Sequence, residues 1–436
     1  MITTSNIACI IADDLTGAND TALQFHLKGA NTQILLCDKI EPTDTAQAWA
    51  VSTESRNVSA NEAYEKVQSA TQMFKEKINP DYFYKKIDST LRGNIAVEII
   101  AILEVLNLDA AIIVPAFPAE SRITVGGYHL SKGVPIERTE MARDPHSPIF
   151  ESYVPKLLSQ QMACKCDEVI GHVGLTTVMQ GAGPILMKIS ELIKQDKKII
   201  IVDAVSTVDI EQIALAVNKS DYKLLPTGAA AFAGALSELW FHDIENEHVA
   251  KTIPSLPKLI ISGSTTQTTS NQIDKLEQSD EFENTLIINL DLKTILDGVK
   301  DELVDRIVAN LGSSNIVVVN TYHLIHNFDG FSEDSLNAEL TKANLASAIT
   351  DFLAELTKRV VERKKVILIT LGGETSYKCC EAICAEQLQL VDEVAPAIAL
   401  SLAPNGQWLV TKSGNLGTIN TLVDILKYFE QHEGGK

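Results

Sequence analysis

Short apolar runs rich in Ile, Val and Ala alternate with longer amphipathic segments along almost the whole chain, and this alternation limits the fold more than any other feature. The runs have the length of buried strands, whereas segments such as residues 61–77 and 182–195 have the length and period of helices. Because neighbouring parallel strands need a crossover between them, the alternation predicts an α/β fold with mainly parallel sheets. The predicted strands cover residues 7–12, 33–37, 49–52, 82–86, 110–114, 198–202, 258–262, 286–289, 315–320, 365–370, 398–402 and 408–411.

A polar segment divides these strands into two series. Residues 242–258, HDIENEHVAKTIPSLPK, contain Pro254 and Pro257, and neither hydrophobic period continues through them. A chain of 436 residues corresponds to about two or three domains of ordinary size. We therefore predict two doubly wound domains, residues 1–250 and 257–436, with the active site in the interdomain cleft where strand ends face each other.

The charge composition limits the partners. The chain has 37 Lys and Arg residues against 57 Asp and Glu residues, which gives a formal net charge of −20. Nucleic acids and anionic membrane surfaces are bound by clustered basic residues, so neither is expected as a partner. An anionic small molecule can still bind, but only in a locally basic pocket.

Three further features favour a cytoplasmic protein. The seven cysteines are an odd number in a chain too large to need disulfides, the first residues do not resemble a signal peptide, and no run of about 18 apolar residues occurs. Cys164 with Cys166, and Cys379 with Cys380, lack the spacing of a structural zinc site, so we expect buried thiols there.

Two adjacent acids follow the first predicted strand. Asp13 and Asp14 begin the segment DDLTGAND, and a helix continues from it. Acids at the carboxyl end of this strand point into the ligand crevice, where they could accept a hydroxyl proton or hold Mg²⁺ through its waters. Helix capping is the alternative, but it explains only one of the two acids.

A second polar segment, KKIDSTLRGN, stands at the corresponding place after the strand at 82–86. It brings Lys86, Asp88 and Arg92 within one turn region, where the two cations could hold a carboxylate. In the alternative interpretation Asp88 caps the next helix and the two cations are solvated.

Residues 114–155 contain no long periodic segment and are rich in Pro, Gly and charge. Such long loops are usually functional or disordered, and the presence of Arg122, Arg138, Arg143, Asp144 and His146 favours function. His129 and His146 are more readily interpreted as satisfied side chains than as ligands.

Three glycine-containing turns follow strands of the second series. They are SGSTTQTT from Ser262, LGGETS from Leu371 and KSGNLG from Lys412. Each could be an ordinary turn, but three such turns at strand ends favour a polyphosphate site built from backbone amides. The chain has no Walker-type G-x-x-x-x-G-K-[ST] and no G-x-G-x-x-G after its first strand.

Six blocks of the chain resemble, in order, those of the four-carbon acid sugar kinase family. They are IADDLTGANDTA, KKIDSTLRGN, PAFPAESRITVGGYH with the downstream ERTEMARDPHSP, SGSTTQTT, LGGETS and KSGNLG. The resemblance implies that residues 1–250 bind a sugar acid and residues 257–436 bind ATP. It further implies phosphorylation of the terminal hydroxyl of threonate, erythronate or 3-oxo-tetronate with Mg-ATP.

The same resemblance assigns site residues. The catalytic group comprises Asp13, Asp14, Lys86 and Arg92; the substrate-binding group comprises Asp88, Arg122, Gly126, Gly127, Arg143 and Asp144; the nucleotide-binding group comprises Ser262, Ser264, Gly372, Gly373, Glu374, Thr375 and Gly414. The turn at residues 395–399, APAIA, departs from the Pro-Gly-Val-Pro-like turn of the family, so adenine contacts are not carried over.

The sequence thus predicts an ATP-dependent kinase for a four-carbon sugar acid, with Mg²⁺ and ATP as cofactors. Asp13 and Asp14 remain alternatives for the general base and for a Mg²⁺ ligand. A haloacid-dehalogenase-like phosphatase is less favoured, since such enzymes need a second Asp two positions on, where Leu15 or Thr16 stands here. A non-catalytic sugar-acid sensor is a further alternative. Residues 18–21 resemble threonate or erythronate kinases slightly more than 3-oxo-tetronate kinases. A homodimer is one alternative for the assembly.

Overall fold

The structure is a computed structural model that describes residues 6–36, 46–144, 147–162, 166–242, 252–313, 315–326 and 342–434. The chain divides into two compact units, Met1–Glu247 and His248–Lys436. None of the described helices combines the length and the apolar character needed to cross a bilayer. His146 and Cys164 lie outside the described residues.

The N-terminal unit contains a parallel sheet whose strands follow the order β2-β3-β1-β4-β11-β5-β10-β9. Strands β6, β7 and β8 follow β5 in the chain and form a separate small antiparallel sheet. The strands are β1 (Ala8–Ala12), β2 (Thr32–Leu35), β3 (Ala48–Ser52), β4 (Tyr82–Lys86), β5 (Ala110–Val114), β6 (Arg122–Val125), β7 (Tyr128–Ser131), β8 (Val134–Pro135), β9 (Ile170–Val173), β10 (Ile199–Val202) and β11 (Leu224–Gly228).

Helices cover both faces of the parallel sheet. Cys9 and Ile11 of β1 pack into a core with side chains of the second and third helices, while Ile10 on the opposite face is also fully buried. Ser59 and Ser206 begin two of the helices by accepting a backbone N–H three residues on. The helices are α1 (Leu15–His26), α2 (Ala60–Lys77), α3 (Ile95–Leu106), α4 (Val154–Gln161), α5 (Cys166–Val169), α6 (Leu175–Val178), α7 (Ala182–Ile193), α8 (Thr207–Asn218) and α9 (Ala230–Trp240).

The C-terminal unit has a mixed sheet in the order β13-β14-β12-β15-β18-β17-β16. The first five strands are parallel, and β17 and β16 are antiparallel to their neighbours. The strands are β12 (Lys258–Ser262), β13 (Leu286–Asn289), β14 (Ile316–Asn320), β15 (Ile367–Leu371), β16 (Gln387–Ala395), β17 (Ile398–Leu402) and β18 (Trp408–Lys412). The helices are α10 (Gln267–Glu277), α11 (Leu292–Asp297), α12 (Asp301–Ser313), α13 (Tyr322–His326), α14 (Lys342–Arg363), α15 (Gly373–Ala382) and α16 (Thr421–His432).

The predicted α/β class with mainly parallel sheets is confirmed, and each predicted strand overlaps an observed one. The predictions missed β6–β9, β11 and β16. Pro226 interrupts the strand pattern of β11, and β16 alternates apolar and polar residues as antiparallel strands do, so neither matches a buried parallel strand. The segment at 114–155 is not an open loop, because β6–β8 and short 3₁₀ helices order it.

Candidate active site

The acids and bases of the N-terminal unit meet where β3, β1 and β4 end side by side. Ser52, Ala12 and Lys86 are register partners across these three strands, so the residues that follow them leave the same edge of the sheet. The chain order changes direction here, since β2 and β3 lie on one side of β1 and β4 on the other. Ligands of open α/β sheets bind at this kind of switch point. We call the group Asp13, Asp14, Asp20, Arg56, Lys86, Asp88, Arg92 and Arg122 the strand-end site.

Arg56 joins the two adjacent acids. Its Nε and Nη2 donate to the two oxygens of Asp13 at 2.7 and 3.1 Å, and its Nη1 donates to Asp14 Oδ2 at 2.7 Å. Arg56 Nη2 also lies 3.9 Å from Asp88 Oδ1. The guanidinium group of Arg56 therefore binds both carboxylates, and the Arg56 side chain is only 12% exposed.

Asp14 has a structural task as well. It caps α1 by accepting the Gly17 N–H at 2.8 Å, and its Oδ2 accepts the Thr16 hydroxyl at 2.9 Å. Burial by itself would raise the pKa of Asp14, yet Arg56 and Lys86 hold it below its ordinary value. The capping alternative is thus confirmed for Asp14, while its role at a ligand site stays a prediction.

A buried ion pair helps to fix the backbone next to Arg56. Lys85 Nζ lies 2.8 Å from Glu98 Oε2, and both side chains are fully buried. Glu98 Oε1 accepts the Ser55 hydroxyl at 2.6 Å, and the Ser55 N–H donates to the Asp13 carbonyl at 3.1 Å. The backbone before Arg56 is therefore fixed from α3 and from β1.

Asp88 and Arg92 pair with each other. Arg92 Nε and Nη2 donate to the oxygens of Asp88 at 2.8 and 3.1 Å, and Nη1 donates to Asp144 Oδ2 at 2.9 Å. Thr90 also donates its hydroxyl to Asp88. Burial would raise the pKa of Asp88, but Arg92 and Arg56 hold it well below its usual range. The structure thus brings Asp88, Arg92 and Asp144 together.

Two cations of the strand-end site lack a close carboxylate partner. The Lys86 side chain is 5% exposed, and the nearest described carboxylate oxygen, on Asp20, lies 3.9 Å from Nζ. Arg122 donates from Nη1 to the Ser89 hydroxyl, while its buried Nε has no hydrogen-bond partner among the described residues. These donors remain available to an anion.

The hairpin β6–β7 carries Arg122, and its tip is anchored to Asp203, the residue that follows β10. Its tip residues Gly126 and Gly127 have φ of +60° and +76°, and their N–H groups donate to Asp203 at 2.7 and 3.0 Å. His129 lies beneath, contacting Thr124 Oγ1 and the Ser89 carbonyl, and burial lowers its pKa to about 4. The two glycine amides therefore hold the hairpin through Asp203.

Arg143 makes no ion pair with any residue that the structure describes. It ends a 3₁₀ helix, Glu140–Arg143, and its side chain is exposed. The next residue, Asp144, is the one that pairs with Arg92, so a substrate-binding role for Arg143 stays a prediction.

In the C-terminal unit, three turns leave the same edge of the sheet. Ser262, Leu371 and Lys412 are register partners on the adjacent strands β12, β15 and β18. Of the predicted residues, Gly372 is the N-cap of α15, and Gly373, Glu374 and Thr375 form its first turn. Thr266 caps α10 by accepting the Thr269 N–H. We call residues 262–266, 371–376 and 411–417 the glycine-loop site.

The three turns approach so closely that glycine is required. A Cβ at Gly263 would stand 2.2 Å from Thr375 Oγ1, and one at Gly414 would stand 2.5 Å from Ser264 Oγ. The Gly414 carbonyl accepts the hydroxyls of Thr266 and Thr269 at 2.7 and 2.9 Å. Backbone amides at two helix starts thus converge on one small region, an arrangement suited to phosphate oxygens.

Polar groups in the glycine-loop site are buried without full partners. Ser262 Oγ and Thr411 Oγ1 have no hydrogen-bond partner among the described residues. Lys412 is fully buried, donates to the carbonyls of Ser413 and Gly414 at 2.7 and 3.5 Å, and has no carboxylate within 4 Å in the described part of the chain. Burial lowers the pKa of Lys412 to about 7.

The carboxylate oxygens of Asp13 and Asp14 bear on metal binding. The four oxygens of these two carboxylates already accept Arg56, Thr16 or Gly17 donors, so they do not fit direct coordination of Mg²⁺. Within the described ranges, no group of three or more His, Cys, Asp or Glu side chains is arranged to hold a metal ion.

The sequence analysis did not single out Arg56, Asp203 or Lys412. Arg56 follows the strand at 49–52 in TESR, so the rule applied to the first and fourth strands would also have found it. Lys412 was quoted as part of a turn, but its burial without a counter-ion is visible only in three dimensions.

Comparison with known proteins identifies a domain family for each half of the chain. Residues 8–236 match the family model described as a sugar-binding N-terminal domain, and residues 259–422 match the nucleotide-binding C-terminal domain. The chain is 30% identical over 441 residues to the D-erythronate kinase of Heliobacterium modesticaldum, covering 97% of each chain. It is 30% identical over 435 residues to the D-threonate kinase of Salmonella typhimurium, covering 97% of this chain and 98% of the relative.

A solved structure shows the same fold. The crystal structure of Haemophilus influenzae protein HI1011 matches with a TM-score of 0.73 at 25% identity, covering 97% of this chain and all of that one. Matches to both family models and to full-length relatives lead to one conclusion. The chain belongs to the four-carbon acid sugar kinase family.

Proposed function

We propose that this protein transfers the γ-phosphoryl group of ATP to the terminal C4 hydroxyl of a four-carbon sugar acid such as D-threonate, D-erythronate or 3-oxo-tetronate. The observation that carries this proposal is a pair of cations, the buried Lys86 and the partly buried Arg122. The nearest described carboxylate oxygen lies 3.9 Å from Lys86 Nζ, and the buried Nε of Arg122 has no hydrogen-bond partner among the described residues. Curated relatives along nearly the whole length are kinases of D-erythronate and D-threonate.

The strand-end site would recognise the sugar acid by charge and by hydrogen bonds. Lys86 and Arg122 supply positive charge for the substrate carboxylate, and burial strengthens that attraction because little water competes. The Asp-rich surroundings supply acceptors for substrate hydroxyls. Arg56 and Arg92 hold Asp13, Asp14 and Asp88 in place, so these acids keep their positions.

The glycine-loop site would hold the nucleotide phosphates. Free amides at the starts of α10 and α15 and the buried ammonium of Lys412 would face the phosphate oxygens, which supply the counter-charge that Lys412 lacks. We propose that Mg²⁺ arrives bound to ATP and neutralises phosphate charge. This division assigns the sugar acid to residues 1–250 and ATP to residues 257–436.

Phosphoryl transfer depends chiefly on positioning and on neutralising charge, with little covalent chemistry for the protein to do. The residues at both sites suit these tasks, since they are cations, backbone amides and fixed carboxylates. The phosphatase alternative lacks its second Asp, and a sensor would leave the kinase relatives unexplained.

A coupled assay of ADP release tests the proposal directly. The purified protein would be given Mg-ATP with D-threonate, D-erythronate or 3-oxo-tetronate, and with each acid omitted. We expect ADP to form only when one of these acids is present, and mass spectrometry to find the phosphate on C4. Absence of acid-dependent ADP across the panel would contradict the proposal and favour a sensor.

Lys86→Met supplies the matched variant for this assay. Methionine fills the space of the lysine stem without its charge, so the KM for the sugar acid should rise by about 10-fold or more, as expected for losing a charged hydrogen bond. Lys28→Met removes a lysine whose side chain is 35% exposed and should leave the KM unchanged.

A further inference from the structure

The acidic side chains of the strand-end site differ in how many of their oxygens are already hydrogen bonded. A group that takes a proton from a substrate hydroxyl needs an oxygen that substrate can reach. Asp13 accepts Arg56 at both oxygens and is 3% exposed as a side chain. Asp14 accepts Gly17 at one oxygen, and Thr16 and Arg56 at the other. Neither residue has an oxygen free of a donor.

Asp88 is equally committed. It accepts two Arg92 nitrogens, the Arg92 N–H and the Thr90 hydroxyl. Its low pKa makes it a weak proton acceptor, because these donors stabilise the charged form. Three of the acids at this edge therefore serve to fix Arg56, Arg92 and the start of α1.

Asp20 is different. It lies on α1, and the Thr21 hydroxyl at 2.9 Å on Oδ1 is the one side-chain donor that the structure places on its carboxylate within the described residues. The other oxygen, Oδ2, lies 3.9 Å from Lys86 Nζ, and the side chain is 23% exposed. Asp20 thus combines a free oxygen with access from solvent and a neighbouring cation.

Gly17 opens the space between Asp20 and the acid pair. A Cβ at Gly17 would stand 2.6 Å from Asp14 Oδ1 and 3.0 Å from Lys86 Nζ. The missing side chain lets Lys86 Nζ lie against the first turn of α1, one helical turn before Asp20. A substrate anion bound by Lys86 would therefore be adjacent to the Asp20 carboxylate.

The groups that face Asp20 come from several elements. They are Lys86 and the buried phenol of Tyr84 from β4, Arg122 from β6, and Asp14 at the start of α1. Burial raises the pKa of Asp20 above its ordinary value, although Lys86 opposes this effect. A carboxylate with a raised pKa holds a transferred proton better than its neighbours do.

We propose that Asp20, rather than Asp13 or Asp14, is the general base of the reaction, an inference that rests on the proposed kinase function. The substrate O–H bond breaks as the new bond from that oxygen to the γ-phosphorus forms. The bond from the γ-phosphorus to the bridging oxygen of ADP breaks, and ADP leaves with that electron pair. The proton passes to an oxygen of Asp20 and then to water, which restores the carboxylate.

Asp20→Asn tests this assignment because it keeps the shape of the side chain and removes its basicity. With saturating ATP and the preferred sugar acid, kcat should fall by about 100-fold or more, the usual contribution of a general base. The dissociation constants of both substrates should stay within about threefold of the wild-type values. The Tm should stay within about 2 °C of that of the wild type. The acid limb of the wild-type pH profile, where activity falls as Asp20 becomes protonated, should be absent from the residual activity.

Asp81→Asn is the matched control, since Asp81 accepts the Ile7 N–H at the opposite end of β1 and β4. Its kcat should equal that of the wild type. Asp14→Asn should mainly raise the KM for the sugar acid, because Arg56 and the start of α1 lose a partner.

Two results would overturn the assignment. One is a kcat of Asp20→Asn within threefold of wild type with an unchanged KM for the sugar acid, which would give Asp20 no role in the reaction. The other is the same small change in kcat with a raised KM for the sugar acid, which would make Asp20 a binding residue. Failure of the wild type to release ADP with any sugar acid would contradict the proposed function itself, so the two failures are distinguishable.

Discussion

At the scale of single residues, Glu54 is a carboxyl group whose pKa lies far above its ordinary value. It follows β3 with a left-handed φ of +45°, and its Oε1 accepts the Ser52 hydroxyl at 2.6 Å and the Leu15 N–H at 3.0 Å. Burial raises the pKa of Glu54 to about 8. The residue is therefore neutral near pH 6 and links the end of β3 to the first residue of α1.

Stability should depend on pH through Glu54. Its folded pKa lies above the ordinary value of 4.5, so its contribution is complete below pH 4.5 and is lost as pH rises towards 8. Gln keeps the accepting oxygen but never ionises. The Tm of Glu54→Gln relative to wild type should therefore rise between pH 5 and pH 8.5, by about 2–4 °C for each ~1 kcal/mol involved.

Thermal unfolding followed by circular dichroism at several pH values would measure this difference. Glu65→Gln, which changes an exposed residue of α2, should give a Tm difference that does not vary with pH. A constant difference for Glu54→Gln across the same range would show that Glu54 ionises alike in the folded and unfolded chain.

At the scale of elements, the repeated device is a strand, a short turn and a helix start. In the glycine-loop site this device occurs after β12 and β15, while a longer turn follows β18, and the three turns approach one another at Gly263, Gly372 and Gly414. Gly372 has φ of +114°, and its N–H donates to the Lys412 carbonyl at 2.8 Å. A Cβ at Gly263 or Gly414 would clash with the side chain of Thr375 or Ser264, whereas at Gly372 the positive φ is what disfavours other residues.

Gly414→Ala should weaken nucleotide binding without affecting the other ligand. The added Cβ would stand 2.5 Å from Ser264 Oγ and 3.0 Å from Thr266 Cγ2, so the turns must separate. We expect the dissociation constant for ATP to rise by about 10-fold, a cost of ~1.4 kcal/mol, with sugar-acid affinity unchanged in calorimetry.

Gly312→Ala is the control in the same unit. Gly312 lies within α12 with no atom within 4 Å of an added Cβ, and alanine is a better helix former, so this variant should bind ATP normally and be slightly more stable. Normal ATP affinity in Gly414→Ala would show that the turns tolerate separation.

The device itself was predictable from the sequence, whereas its contacts were not. Apolar runs located the strands, and parallel pairing placed Asp13, Lys86, Ser262 and Gly372 at strand ends. The salt bridges of Arg56 depend on β3 lying beside β1, which is a matter of strand order and register. The anchoring of Gly126 and Gly127 on Asp203 depends on a hairpin that has no strong hydrophobic period.

At the scale of the molecule, an acidic chain carries its important cations inside. The net charge is −20, yet Lys86 and Lys412 are both buried. Basic pockets within an acidic surface favour small anions over polyanions, since a long polymer would meet repulsion outside the pocket. Small phosphorylated and carboxylated molecules are the ligands that such a surface admits.

Hydrogen exchange with mass spectrometry would map the proposed division of labour along the whole chain. ATP alone should slow exchange at residues 262–269 and 371–376, because ligand binding raises the cost of local opening. The sugar acid alone should slow exchange at residues 13–20, 53–58 and 86–92. Protection of residues 13–20 by ATP without any protection at 371–376 would reverse the assignment of ligands to units.

The position of β11 has a consequence for how the chain is made. β11 lies between β4 and β5, although 109 residues separate the end of β5 at Val114 from Leu224 at the start of β11. While the chain leaves the ribosome, β4 and β5 therefore expose unpaired edges until residue 228 has emerged. Because β11 is the last strand of this sheet to be synthesised, it completes the pairing at the centre of the sheet. A chain whose synthesis stops before β11 therefore keeps these unpaired strand edges and is prone to aggregation.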